Sequence, residues 1–238
     1  MHSLDHLGPK KIFGFLDGQI FITETVVNAW IVSIALIIIA LILTRKMEKV
    51  HKGPQIIAEL IVGTVYNMVK NTMGPKAEKY APYIGTIFFF LLGCNMLGLF
   101  GLRPVTSDVN ATLSVALITF GIIQVSSFRS RGALGYAKHF ADPMPFMVPI
   151  KILEEVVFPI SLCLRLFGNI LAGAIIMALI MTALEGASLS LGSSIPFLQI
   201  FIPLIPNMFF DVFEPVLHAY IFCTLTMVFT KNAMAHDH

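Results

Sequence analysis

The chain is short of charge. Only 13% of its 238 residues are Asp, Glu, Lys or Arg, while 56% are apolar and the mean hydropathy is +0.82. That balance excludes a soluble domain and points to an integral membrane protein. Cysteine is scarce as well. Cys94, Cys163 and Cys223 each fall inside an apolar run without metal-ligand spacing, which reads as three buried thiols. There is no GxxxxGK[ST] run, so nucleotide chemistry is not expected of this chain. The opening MHSLDHLGPKKIFGF lacks the apolar core and small-residue cleavage site of a signal peptide. His2, His6, His236 and His238 near the ends read as solvated tails, and no metal site or cofactor is expected. No soluble domain separates the apolar segments, and no inverted repeat is visible, so residues 1–238 form one membrane domain.

What is present is a series of apolar spans. Residues 1–25 form an N-terminal segment, and the first span is 26–43. Arg45, Lys46, Lys49 and Lys52 follow at once. Residues 54–73 are moderately amphipathic, with Ile57, Leu60, Ile61, Thr64, Val65 and Met68 at helical spacing. Pro54 suits a first turn and Gly74-Pro75 ends the stretch, giving an interfacial helix. The second and third spans fill 84–127, the second carrying one amide, Asn95. Seven Lys/Arg lie between Arg45 and Lys79, four between Arg129 and Lys151, and only Arg103 between the two spans. The positive-inside rule therefore puts the N-terminus outside and the C-terminus in the cytoplasm, Lys10 and Lys11 pulling weakly the other way. Residues 146–230 hold two long segments joined by a turn at 185–194. As one helix, each would measure roughly 50–60 Å, so each breaks into two spans or lies steeply tilted.

Arg165 stands in a run otherwise free of charge from Val156 to Leu184. A guanidinium at the middle of a membrane helix costs at least about 2.5–3.5 kcal/mol, and arginine does not escape by deprotonation. Such a residue is kept where something charged must meet it. On a helix, Glu154 and Ser161 fall within about 40° of Arg165 on one side, and Lys151 and Asn169 within about 40° on the other. Gly168 and Ala172 share this face, and small residues admit a close neighbour. The second segment spaces Asn207, Asp211, Glu214 and His218 by four, three and four residues, within roughly 60° of one face. Carboxylates, an amide and a histidine in a row suit a proton or cation path. Glu155 and Glu185 are weaker candidates.

PISLCLRLFGNILAG at 159–173 resembles the signature of subunit a of rotary F-type ATP synthases. HAYIFCTLTMVF at 218–229 resembles the end of that subunit, and NMLGLFGLRPVTSDVNATLSVAL at 95–117 its middle spans. The resemblance implies an all-α polytopic membrane protein of about five membrane helices, ending in a hairpin of two long, steeply tilted ones. It implies a bacterial cell-membrane location, with the c-subunit ring, peripheral-stalk b subunits and the rest of the F1Fo complex as partners, and no nucleic acid. Arg165 is implied to be the stator arginine, with Asn169, Asn207, Asp211, Glu214, His218 and Glu154 along the ion path. Many proton-using members carry an acid directly after the AG of the motif. This chain has Ala174 there, and Glu214 on the facing helix is the natural substitute. The activity implied is translocation of H⁺ or Na⁺ that rotates the ring, with no catalysis by the chain itself. Taken without the resemblance, the same residues also fit a secondary cation/proton antiporter or a noncatalytic membrane scaffold.

Overall fold

The computed structural model describes residues 11–15, 20–45, 53–141, 146, 148–190 and 198–234. Lys10, Lys46, Lys49, Lys52, the four terminal histidines and the 191–194 end of the expected turn lie outside them. Two short strands, β1 (Lys11–Phe15) and β2 (Ile20–Thr23), pair antiparallel before the first span. Runs of four or five residues carry too little periodicity to announce themselves in sequence. Beyond that hairpin the regular structure described is helical, and five helices are long and apolar enough to cross a bilayer. The chain is an all-α polytopic membrane protein.

Helix α1 (Glu24–Thr44) is apolar on nearly every side and exposes Ile34, Ile37, Leu41 and Ile42. That is the pattern of a helix bathed in lipid. Helix α2 (Pro54–Met73) has the predicted bounds. Proline occupies its first turn, and Gly74 closes it at φ 93°, donating its N–H to the Lys70 carbonyl at 2.9 Å. Its expected apolar stripe divides. Val65 and Met68 pack toward the bundle beside buried Val69 and Met73, whereas Ile57 and Leu60 stay exposed. Helix α3 (Ala81–Asn95) and helix α4 (Val109–Ala141) are joined through short 3₁₀ turns at Met96–Phe100 and Val105–Ser107. The Asp108 carboxylate caps α4 by accepting the Asn110 N–H at 3.0 Å. Gly132, at φ 71° and ψ 172°, interrupts α4 and ends its membrane-crossing part, which begins at Val109.

Helix α5 is continuous over Val148–Ser190, 43 residues, with Pro159 inside it. It runs through Glu185–Ser190, where the sequence suggests a turn. No proline interrupts that stretch, and Ser188 bonds back to the Leu184 carbonyl at 2.8 Å. A helix of this length spans about 65 Å. Its stretch from Val156 to Leu184 alone measures about 43 Å against a hydrocarbon core of ~30 Å, so lodging it in lipid takes a tilt of about 45°. The last element, Leu198–Met234, is not one regular helix. It comprises α6 (Leu198–Phe201), α7 (Leu204–Met208), a π turn at Phe209–Phe213 and α8 (Glu214–Met234). Pro203, Pro206 and Pro215 each remove a backbone donor, and the widened turn sits among them.

The core lies where α2, α3, α4, α8 and the first half of α5 meet. Leu91, Ala116, Leu162, Leu166, Phe222 and Met227 are all at most 1% exposed there. All three cysteines are buried free thiols. Tyr80 and Tyr83 of the α3 side bond Ser126 and Thr119 of α4 at 2.9 and 2.8 Å. At one end of the bundle Arg131 donates to the carbonyls of Ala233 and Asn232, and Lys231 donates to that of Thr72. These cations satisfy carbonyls that helix ends leave open. At the other end Asn28 of α1 donates to the Arg103 carbonyl at 2.9 Å.

Helices α1 and α3 approach closely at Gly93, where an added Cβ would lie 2.8 Å from Val32 Cγ1. A branched side chain there must push α1 away, at the usual overpacking cost of about 1–3 kcal/mol. Gly93→Ile should therefore lower the thermal aggregation midpoint of the detergent-purified assembly. Gly63→Ile, whose Cβ meets nothing within 4 Å, should not. Equal behaviour of the two variants would contradict this packing account.

Candidate functional site: a half-buried arginine between two cavities

Arg165 sits on a seam of α5. Counting about 100° per residue, Leu162, Leu166, Asn169 and Gly173 lie to one side of it and Ser161, Leu164, Gly168 and Ala172 to the other. Leu162 and Leu166 are 1% exposed and Gly173 is buried, so the first side is packed against the rest of the chain. Ser161, Leu164 and Ala172 are exposed, and a Cβ added at Gly168 would meet nothing within 4 Å. The second side is therefore open. Arg165 itself is half-buried, and its Nη1 is buried without a hydrogen-bond partner. Among the described residues no carboxylate forms an ion pair with it.

A cavity of about 440 Å³ begins beside this seam. Asn169, Asn207, Asp211, Glu214 and His218 all line it, so five of the expected path residues converge on one space. Asn169 lies against the Glu214 side chain, and Glu214 is 9% exposed. His218 Nε2 lies 3.9 Å from Glu214 Oε1, one helical turn away, and its Nδ1 is buried without a partner. The π turn carries Asp211, and α8 carries Glu214 and His218. The widened turn alters their angular spacing from that of a plain helix, yet they still share the cavity. Two glycines make room for the acids. A Cβ at Gly98 would stand 2.9 Å from Asp211 Oδ1, and one at Gly173 would stand 3.0 Å from Phe210 Cδ1 and 3.6 Å from Glu214 Oε2. Ala174 lines the same cavity as Glu214.

Glu154 is placed elsewhere. It lies with Lys151, Glu155 and Gln124 on a second cavity of about 260 Å³, lined also by Phe158 and Phe229. Those two rings meet at a tilt between α5 and α8, their centres 4.2 Å apart. The two cavities open toward opposite ends of the bundle. The first is walled by the α3–α4 connection through Arg103 and Pro104, the second by the C-terminal end of α8 through Asn232 and Ala233. Between them no residue of α5 from Pro159 to Arg165 or of α8 from Ala219 to Val228 lines either cavity, a barrier of about 12–16 Å by helical rise. Ala219, Phe222, Cys223 and Met227 fill it and are fully buried. Arg165 stands at its edge.

Several cavity residues escape a reading of periodicity alone. Asn95, Arg103 and Ser107 line the first cavity from the α3–α4 connection, with Asn95 accepting a hydrogen bond from Thr106 and Arg103 Nε donating to Ser107 at 2.9 Å. Asn95 was visible as an amide in an apolar span. Nothing in local spacing aims Arg103 and Ser107 at α8. Glu185, one of the weaker candidates, lines neither of the two cavities.

Residues 26–231 match the family model described as ATP synthase A chain. The chain is 32% identical to "ATP synthase subunit a" of Moorella thermoacetica, over 99% of this chain and 100% of that one. It is 36% identical to "ATP synthase subunit a 2" of Chlorobaculum tepidum, over 98% of this chain and 68% of that one. It is 31% identical to "ATP synthase subunit a, sodium ion specific" of Propionigenium modestum, over 90% of this chain and 74% of that one. With a membrane-helical fold, an arginine embedded in it and a match over most of its length, the chain belongs to the ATP synthase A chain family, the membrane subunit a of that complex.

Proposed function

We propose that this subunit is the stator ion channel of the membrane sector, working against a ring of c-subunits. The observation that carries the reading is Arg165, placed at the edge of a packed barrier between two cavities and on the open side of α5. In this mechanism the first cavity is the outer half-channel and the second the inner one. The assignment follows the positive-inside rule, with the Arg103 loop outside and the Arg129–Lys151 region in the cytoplasm. An ion enters from one side and loads a carboxylate on a ring subunit. The neutral site can then face lipid, whereas an emptied, anionic site is drawn to Arg165. The barrier denies the ion a direct route, so it crosses only by riding the ring. Each elementary charge moved across the membrane is worth about 2.3 kcal/mol per 100 mV, so several ions serve each nucleotide. The coupling ion is H⁺ or Na⁺. The remaining partners are peripheral-stalk b subunits and the rest of F1Fo, in a bacterial cell membrane with the N-terminus outside.

Each residue has a part in this scheme. Glu214 and Asp211, with His218, exchange the ion along the outer cavity, and Asn169 and Asn207 hydrogen-bond them. Glu154 serves the inner cavity. Arg165 takes no acid of its own chain, because its charge is reserved for the ring. Ser161, Gly168 and Ala172 let the ring approach.

Three outcomes test the scheme. Arg165→Ala should abolish ion-driven ATP synthesis while the complex still assembles, and retained coupled synthesis would sink the proposal. Cysteines introduced at 211, 214 and 218 in assembled complex should react with aqueous thiol reagents or silver ions, and resistance at all three would refute the outer half-channel. Ala174 and Glu214 share one cavity, so Ala174→Glu should recover part of the transport lost in Glu214→Ala. A double variant no better than the single one, at equal assembly by immunoblot, would reject their joint service of one path.

A further inference from the structure

A third hollow, of about 430 Å³, lies away from both cavities, on the outer surface where the start of α3 meets α4. Its floor is a stripe of α4. Ile118, Gly121, Ile122 and Val125 recur at helical spacing, and Arg129 follows one turn beyond Val125 on the same side. Ile118 is 60% exposed and Val125 54%. Gly121 is open, with nothing within 4 Å of an added Cβ. The wall is Lys79 and Tyr80. Tyr80 is fixed by its hydroxyl, which donates to Ser126 at 2.9 Å, and Lys79 Nζ lies 5.2 Å from the centre of the Tyr80 ring. The hollow is thus apolar along one end and doubly cationic at the other.

Its dimensions are those of one lipid leaflet. From Ile118 to Arg129 the helix rises about 16 Å, roughly half of a ~30 Å hydrocarbon core. The membrane-crossing part of α4 ends at Gly132, just past Arg129, so the two cations sit at the membrane interface and the apolar stripe runs inward from them. We propose that this groove binds an anionic glycerophospholipid, its phosphate held by Lys79 and Arg129 and an acyl chain laid along Ile118, Gly121 and Val125. A zwitterionic lipid would lay the same chain but offer no net charge to the cations. A partner helix would need to bring acids to the same level, and the groove's depth at Gly121 suits a chain of methylenes. Basic pockets at the interface are worth about 1 kcal/mol per cation toward anionic lipid.

The test uses intact F1Fo complex in bilayer nanodiscs. The probes are a phosphatidylglycerol with a photoactivatable diazirine on one acyl chain and the matched phosphatidylcholine. Phosphatidylglycerol should label residues 118–125 of the intact wild-type complex in clear preference to phosphatidylcholine. The double change Lys79→Gln with Arg129→Gln should reduce that preference roughly thirtyfold, the equivalent of two such cations. Gly121→Phe should block labelling while leaving both charges in place, and its open surroundings mean that the fold tolerates it. If the charge variant fails to assemble, Gly121→Phe still decides the matter. Equal labelling by the two lipids, labelling unchanged in Gly121→Phe, or no labelling because another subunit covers the groove would each overturn the proposal.

Discussion

The most demanding physical constraint on this chain is a guanidinium half-buried in a long apolar helix of a membrane protein. Arginine holds its proton, so its charge must be solvated by protein, by water or by a partner. The chain's own described residues leave part of this open, since Nη1 of Arg165 is buried without a hydrogen-bond partner. Arg165 is half-buried beside a polar cavity, within electrostatic reach of His218, and it forms no ion pair with any described acid. Pairing it internally with Glu214 would remove the cost, but it would also cancel the charge. Glu214 instead lies against Asn169 and near His218. The neutral amide borders the carboxylate without supplying a competing cation.

Rigidity and openness are divided along α5 to serve that charge. Leu162, Cys163 and Leu166 are locked into the core, and Cys163 also contacts Thr112 of α4 at 3.2 Å. The backbone carrying Arg165 is therefore fixed on one side. On the other side stand Ser161, Gly168 and Ala172, short and uncovered. Under the proposed function, a fixed charge bordering an accessible, nearly featureless face suits a stationary element whose partner slides past. Large side chains there would interlock with the partner and hold it in place, since packed surfaces repack in discrete steps and not continuously.

Much of this was legible in the sequence because helices write their geometry as a period. The bounds of α2 follow from Pro54 and Gly74, whose backbone requirements are local. Asn207, Asp211, Glu214 and His218 announce a shared face through spacing alone, and they line one cavity. What was hidden depends on tertiary arrangement. The π turn at Phe209–Phe213 arises among three prolines, but prolines permit a kink, a break or a bulge without choosing between them. Glu154 lies on the Arg165 face by angle, yet eleven residues of rise carry it about 16 Å away into a different cavity. Angle shows which way a side chain looks. Only packing shows what it sees. Arg103 lines the first cavity from a connection whose carbonyl at Arg103 is bonded by Asn28, on a helix 75 residues earlier.

The division into two cavities also bears on why the prolines and glycines fall where they do. A continuous polar channel across the bundle would leak, while a fully packed bundle would admit nothing. Opening only one end of each helix pair requires helices that pack well along half their length and poorly along the other half. In α8 the packed half is Ala219 to Met227, dense with Phe222, Cys223 and Met227 and free of proline and glycine. The loose half precedes it, where Pro203, Pro206 and Pro215 spoil the regular ladder and Gly98 and Gly173 leave space opposite the acids. Backbone groups freed by such breaks are tolerated at membrane depth only where they border a cavity or protein, not lipid. The irregular backbone and the polar side chains therefore belong together, and the transition between the halves falls at His218, the last residue of α8 to line the first cavity.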